Sequence, residues 1–146
     1  MEIFKIITEE DLQHAFAIRK SVFVEEQEIP LENEFDCYDT LLAEADHVLV
    51  QYERQAAGTG RMRITEGAGK LERICVLKQF RTFGLGKEII QALEDIAVLH
   101  SLEQVKLHAQ AQARGYYEKL GYSAASEIFM EDGIPHIVMV KPLMSV

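Results

Sequence analysis

Residues 71–90 read LERICVLKQFRTFGLGKEII, and this run constrains the fold more than any other stretch of the chain. Leu71 to Leu77 has the β-branched, alternating pattern of a strand. Leu85, Ile89, Ile90, Leu93, Ile96, Ala97 and His100 then recur at helical spacing. Between them lies a charged, glycine-bearing loop from Lys78 to Lys87, in which Lys78, Arg81 and Lys87 face no acidic residue in sequence. A strand that turns directly into a helix presents free backbone N–H groups and the positive end of the helix dipole. Gly84 and Gly86 allow a ligand close to that backbone, so the loop reads as a diphosphate cradle. It is neither of two better-known cradles. A Walker A loop needs Ser or Thr after Gly86-Lys87, where Glu88 stands, and Arg81 occupies the place of its first glycine. A dinucleotide fingerprint needs a third glycine at position 89, which is Ile.

The flanking sequence predicts a mixed α/β domain over residues 1–146. Residues 2–8 read as a strand, followed by a helix capped by Thr8 and carrying Leu12, Ala15, Phe16, Arg19 and Phe23. Pro30 closes that element, and 31–45 is expected to be irregular. Strands follow at 47–53, 59–66 and 71–77, with turns at 54–58 and 67–69, which suggests an antiparallel meander. A short strand at 105–109, a helix at 111–120 ended by Gly121, and a hairpin about Asp132-Gly133 complete the order β-α-β-β-β-α-β-α-β-β.

Charge narrows the function. The net charge of −9 disfavours non-specific nucleic-acid binding, which depends on Lys and Arg neutralising phosphates. Residues 21–53 hold ten carboxylates and no Lys or Arg. Within that block Glu26, Glu34 and Asp36 are candidates for an acidic pocket that takes a cationic ligand. No apolar run approaches the ~20 residues of a membrane span. The first residues, MEIFKIITEEDLQ, have no signal-peptide pattern, and two isolated cysteines are expected as free thiols in the cytoplasm. No His/Cys/Asp/Glu set stands at metal-ligand spacing, so no metal is expected.

A second segment, QVKLHAQAQARGYYEKLGY at 104–122, decides among the remaining classes. Gln110, Ala113, Tyr117, Gly121 and Tyr122 resemble the Asn-x-x-Ala-x-x-x-Tyr-x-x-x-Gly-Phe signature of the GNAT N-acetyltransferases, with Gln in the Asn place. Arg81-x-x-Gly84-x-Gly86 resembles that family's cofactor loop. Arg19-x-x-Val-Phe23-Val-x-Glu26-Gln27-x-Ile-Pro30, Glu34-x-Asp36 and Gly133-Ile-Pro-His136-Ile-x-Met139 are similar to its small bacterial ElaA/YjcF-like branch.

The resemblance implies the GNAT acyl-CoA N-acyltransferase fold: a mixed, mostly antiparallel sheet, splayed at the cofactor site and flanked by helices. It implies acetyl transfer from acetyl-CoA to a primary amine by direct attack in a ternary complex. The acceptor is expected to be small and cationic, bound by Glu26, Glu34, Asp36 and His136. By the same resemblance the pyrophosphate sits on Arg81, Thr82, Phe83, Gly84, Leu85 and Gly86, with Lys87 adding charge. The pantetheine arm pairs with Ile74, Cys75 and Val76, and Gln110 and Ala113 complete the cofactor site. A backbone N–H near Val76 serves the thioester oxygen, and Tyr117 is the general acid toward the leaving thiolate. A homodimer is compatible with the family. A CoA-binding sensor without turnover is the alternative on the same fold.

An alkylammonium of pKa about 10.4 is only ~0.04% neutral at pH 7, so a base is useful. Glu72, His108, Glu26, His47 and His136 are the candidates, with Glu72 placed by alternation on the face of Ile74 and Val76. Cys75 points to the opposite face and reads as core.

Overall fold

A computed structural model describes residues 1–144. β1 (Glu2–Lys5) leads to α1 (Glu9–Arg19), whose N-cap Thr8 accepts a hydrogen bond from the Asp11 N–H at 3.2 Å. α1 does not stop where its α-helical hydrogen bonding ends. Lys20–Glu26 continues as π-helix, closed by Gln27 N–H donating to the Val22 carbonyl five residues back. The wider turn carries Val22, Phe23, Glu26 and Gln27 to one cavity. The segment expected to be irregular contains a single helical turn, α2 (Leu31–Glu34).

The meander is present. β2 (Ala45–Tyr52), β3 (Gln55–Thr65) and β4 (Ala68–Val76) are joined by two-residue turns at Glu53-Arg54 and Glu66-Gly67. Both turns have positive φ at both residues, the twist that suits a tight hairpin. β3 therefore begins at Gln55, not Thr59. The run Gln55-Ala-Ala-Gly lacks strand formers, and at its Gly58 a Cβ would stand 2.9 Å from Ile89 Cδ1 of the helix that passes over it. A Cβ at Gly60 would stand 2.6 Å from Ile89 Cγ2 and 2.9 Å from Leu93 Cδ1.

After β4 a 3-10 segment, Lys78–Phe83, leads through Gly84 into α3 (Leu85–Leu99). β5 (Gln104–Gln110) follows, then a 3-10 turn (Ala111–Ala113) into α4 (Arg114–Lys119). β6 (Ser123–Ala124), β7 (Phe129–Glu131) and β8 (Ile134–Pro142) end the fold. Asp132-Gly133 forms the expected hairpin turn, with φ of 52° and 75°. The sheet order is β1-β2-β3-β4-β5-β8-β6, with β7 also on β8. Every pairing is antiparallel except β4 with β5.

The sheet is covered on both faces. Leu12, Ala15, Ile18 and Val22 of the first helix pack with Leu49 and Cys75. On the other face Leu85, Ile89, Ile90, Leu93 and Ala97 of α3 pack with Val48, Val50, Met62 and Leu71.

β4 carries a bulge that corrects the expected alternation. Thr59 pairs with Cys75 and Arg61 with Glu72, so Arg73 and Ile74 together oppose Gly60, and Arg73 takes φ of 55°. Leu71, Ile74 and Val76 all pack on the α3 side, whereas Cys75 joins the α1 side. Glu72 is therefore on the α1 face with Arg61, opposite Ile74 and Val76. The extra residue shifts the two-residue period by one, which no local sequence signal announces.

Candidate active site

The parallel pairing of β4 with β5 covers only Gly69–Leu71 against Val105–Leu107. Beyond Leu71 the two strands part, and the gap opens into a cavity of ≈ 550 Å³. Ile74, Cys75 and Val76 border it from β4, His108 and Gln110 from β5, and Ala113 and Tyr117 from the segment after β5. Two neighbouring strands that lose each other's hydrogen bonds leave backbone groups for an extended ligand to satisfy. The Cys75 side chain is buried among the α1 contacts, and burial pushes its thiol pKa up, so its backbone is the useful part here.

The glycine loop stands at the end of the gap. Gly84 takes φ of 72° and is the N-cap of the 15-residue α3, with no side chain capping the free N–H groups. A Cβ at Gly84 would meet nothing within 4 Å, so the approach is open. These features fit a diphosphate. The side chains of the loop are used otherwise than the sequence suggests. Leu85 is core, and Phe83 stacks on Tyr52 at 4.4 Å and 13°. Thr82, Phe83, Gly84, Leu85, Gly86 and Lys87 lie outside the cavity wall, so their backbone and the Lys87 charge are what they offer. Arg81 does border the cavity, but its guanidinium donates to Glu26 at 3.0 and 2.7 Å and to the Val76 carbonyl at 3.0 Å. Arg81 lowers the Glu26 pKa chiefly through that hydrogen bond, so Glu26 is a paired carboxylate rather than a free anion for the acceptor.

Tyr117 is held by aromatic neighbours, Tyr116 at 5.3 Å and Tyr122 at 5.8 Å, both edge-on. Tyr122 is fixed in turn by donating to Glu94 at 2.7 Å. Burial pushes the Tyr117 phenol up to about 12, so it stays an O–H donor throughout the physiological range. Gln110 donates to Gln27 at 3.1 Å and accepts from Gln112 at 2.7 Å. Gln27, on the π-helical exit, is a site residue the sequence reading missed; its place in the Glu26-Gln27 pair was the available signal.

The candidate bases differ in their freedom. One Glu72 oxygen accepts from Arg61 Nε at 3.0 Å, Arg61 Nη2 at 2.6 Å and Arg63 Nε at 2.8 Å. Burial alone would raise the Glu72 pKa, but Arg61, Lys70 and Arg63 together hold it below the ordinary carboxylate range. His47 is buried, hydrogen-bonded to the Tyr38 carbonyl at 3.1 Å, and shifted down chiefly by desolvation. It is not on the cavity wall. His108 is on the wall, with Nδ1 2.9 Å from Glu131 Oε1. That contact assigns the proton to Nδ1 and leaves the Nε2 lone pair for a ligand. His136 donates from Nδ1 to the Ile134 carbonyl at 2.7 Å and faces Glu131 Oε2 at 3.7 Å. Glu131 escaped the sequence reading because only the β7–β8 hairpin brings it to β5.

The acidic block does not make an acidic pocket. Glu34 is fully buried, off the cavity wall, and bound to Arg19 Nε at 3.0 Å. Its second oxygen has no partner, and burial raises its pKa. Asp39 binds Arg19 at 2.6 Å and Arg61 at 3.0 Å, which brings its pKa down to about 2 against the desolvation. Asp36 binds Arg61 through both oxygens, at 2.7 and 3.0 Å. Three of the block's acids, Glu34, Asp36 and Asp39, thus neutralise Arg19 and Arg61, brought from α1 and β3 by the tertiary fold alone.

The match to the family model described as Acetyltransferase (GNAT) domain spans residues 9–143. The chain belongs to the GNAT acetyltransferase family. It is an acyltransferase with the GNAT fold, in the branch that contains YjcF. The acetyltransferase-named BSU40680 of Bacillus subtilis (strain 168) is 54% identical over 141 residues, covering 97% of this chain and 96% of its own. YjcF of the same organism, named an uncharacterized N-acetyltransferase, is 45% identical, covering 91% and 94%. A crystal structure of an acyl-CoA N-acyltransferase from Pseudomonas aeruginosa superposes with a TM-score of 0.86 at 28% identity, over 97% of this GNAT chain and 99% of the other. Among the described residues no helix is long and apolar enough to cross a membrane.

Proposed function

We propose that this GNAT enzyme transfers the acetyl group of acetyl-CoA directly to the primary amine of a small molecule. The observation that carries the reading is the parting of β4 and β5 beside an uncapped helix N-terminus, with Tyr117 on the wall of the same gap. Bound acetyl-CoA supplies a thioester carbonyl open to amine attack. The N–H groups at the start of α3 hold the diphosphate, with Lys78 and Lys87 nearby in the chain. The strand edge from Ile74 to Val76 orients the pantetheine arm, and a backbone N–H there donates to the oxygen on which charge develops.

His108 takes the amine proton at Nε2, with Glu131 fixing its tautomer. Glu72 is the weaker candidate, since Arg61, Lys70 and Arg63 hold its carboxylate below the ordinary range against the burial that would raise it. A thiolate has a pKa near 8.5. A phenol at about 12 therefore does not surrender its proton to it outright; Tyr117 donates a hydrogen bond to sulfur as charge builds there. The free cysteines fit a cytoplasmic setting.

The test is acetyl-CoA binding by calorimetry followed by thiol release against a panel of amines. Amine-dependent release that falls ~10²-fold in His108→Gln supports the assignment. Release that is unchanged in that variant removes His108 from the base role.

A further inference from the structure

We propose that the acceptor amine carries a carboxylate, seated on Arg63, Lys70 and Arg73 at the β3–β4 wall of the cavity. This rests on the acetyl-transfer reading above and narrows its substrate class.

The inference comes from a charge imbalance. The inner part of the ion-pair network joins Arg19 and Arg61 to Glu34, Asp36 and Asp39. At the cavity wall Arg63 and Lys70 share the single carboxylate of Glu72, while Arg73 has Glu34 as its carboxylate neighbour. Five cations, Arg19, Arg61, Arg63, Lys70 and Arg73, against the four carboxylates of Glu34, Asp36, Asp39 and Glu72 leave the network one positive charge in excess; Asp36 and Arg61 also border the cavity but are paired with each other, so the unmatched charge falls to Arg63 and Lys70. Arg73 Nε faces Glu34 Oε2 at 3.6 Å, so Arg73 ties this wall to the buried carboxylate behind it.

Geometry repeats the point. One oxygen of Glu72 is saturated by Arg61 and Arg63, and the other faces Lys70 Nζ only at 3.4 Å. Arg73 Nε is buried toward Glu34 without a hydrogen bond, so the part of Arg73 that a ligand can meet is the rest of its 25%-exposed side chain. Arg73 is held in its unusual position by the β4 bulge, at φ of 55°. The side chains of Arg63, Lys70 and Arg73 keep 24%, 18% and 25% exposure, so they are partly withdrawn from water yet reachable from the cavity. Two half-buried cations, Arg63 and Lys70, that share one carboxylate already taken by Arg61 favour a second carboxylate, and a guanidinium receives it through paired N–H donors. A polyamine would bring more positive charge to the same wall.

The opposite wall has the other sign. Glu131 and Asp132 border the cavity from the β7–β8 hairpin, beside His108. A molecule with an amine and a carboxylate meets both walls with the matching end: the amine toward His108 and Glu131, the carboxylate toward β3 and β4. Amino acids, α or ω, are the simplest members of the class.

Matched triads test this: an amino acid, its carboxamide and its decarboxylated amine, each assayed for thiol release from acetyl-CoA with the wild-type enzyme, Lys70→Gln and Arg63→Gln. The expected kcat/KM favours the acid over the amide by roughly 10–100-fold. That ratio should fall toward one in both variants, with CoA affinity retained. Amides or decarboxylated amines that equal or exceed the acids overturn the proposal, as does a ratio that survives both substitutions. Thiol release with none of the triads contradicts acetyl transfer to these amines, and the carboxylate subsite is then decided by titration. The arginine Nε–H NMR signals, assigned with Arg63→Lys and Arg73→Lys, are followed as the same acids and amides are added to the CoA complex. Shifts with acids and not amides sustain the subsite; equal or absent shifts overturn it.

Discussion

Tyr117 illustrates how little of a side chain's role is intrinsic to it. An exposed phenol titrates near 10; burial among Tyr116, Tyr122 and the cavity wall moves this one to about 12. Its folded pKa is raised, so the O–H donor is present at every pH below about 12 and lost only above it. Replacing it by Phe should lower kcat by roughly 10²–10³ while CoA affinity holds, as measured by thiol release and calorimetry. The pH profile provides a second check. If the wild-type kcat falls between pH 8 and 10, the same limb should appear in Tyr117→Phe, because the phenol does not titrate there. Disappearance of that limb in the variant would assign it to Tyr117. A residue at helical spacing from Ala113 was legible in the sequence, and so was its resemblance to the family tyrosine. Its environment was not, because Tyr122, itself held by Glu94, reaches it only through packing.

At the scale of elements, periodicity revealed what local chemistry controls. The β7–β8 turn at Asp132-Gly133 and the end of α4 at Gly121 follow from residues that accept positive φ. The strand–loop–helix unit at 71–90 was legible for the same reason. Three features were not. The π-helical exit of α1 has no sequence period of its own. The β4 bulge reverses the expected face of Glu72. β3 begins four residues early, because its small residues answer to α3 rather than to strand propensity. That last account predicts a cost. Gly60→Ala drives a methyl into Ile89 and Leu93, both fully buried, and should destabilise the fold by about 1–3 kcal/mol in urea unfolding. An unchanged midpoint would mean that α3 is not held against the strand at this point.

For the molecule as a whole, the ion-pair network ties α1, α2 and the β3–β4 pair into one body. Sequence showed its carboxylates as a block and left its arginines scattered, so an acidic pocket was the natural expectation. Pairing across the fold makes it the reverse. Arg19 is 1% exposed and serves Glu34 and Asp39 together, so Arg19→Met should cost about 3–5 kcal/mol by stranding two buried carboxylates. Acid should weaken the fold. Asp39 is depressed to about 2, so its stabilisation is complete above the unfolded pKa and lost as pH falls from about 5 toward 2. Asp36 and Glu72 are depressed as well and act in the same direction; Glu34, raised by burial, opposes them. The melting temperature should therefore drop over that window, and a flat profile would contradict the pairing.

The measurement that tests the central claim most directly is thiol release from acetyl-CoA with carboxylated amines, run beside CoA binding, for the wild-type enzyme and Gly84→Glu. Glutamate at Gly84 puts a carboxylate on a positive-φ backbone at the mouth of the diphosphate cradle. The account predicts amine-dependent release by the wild type, with both CoA binding and release lost in the variant while the fold survives. Normal CoA binding by a folded Gly84→Glu protein would contradict it.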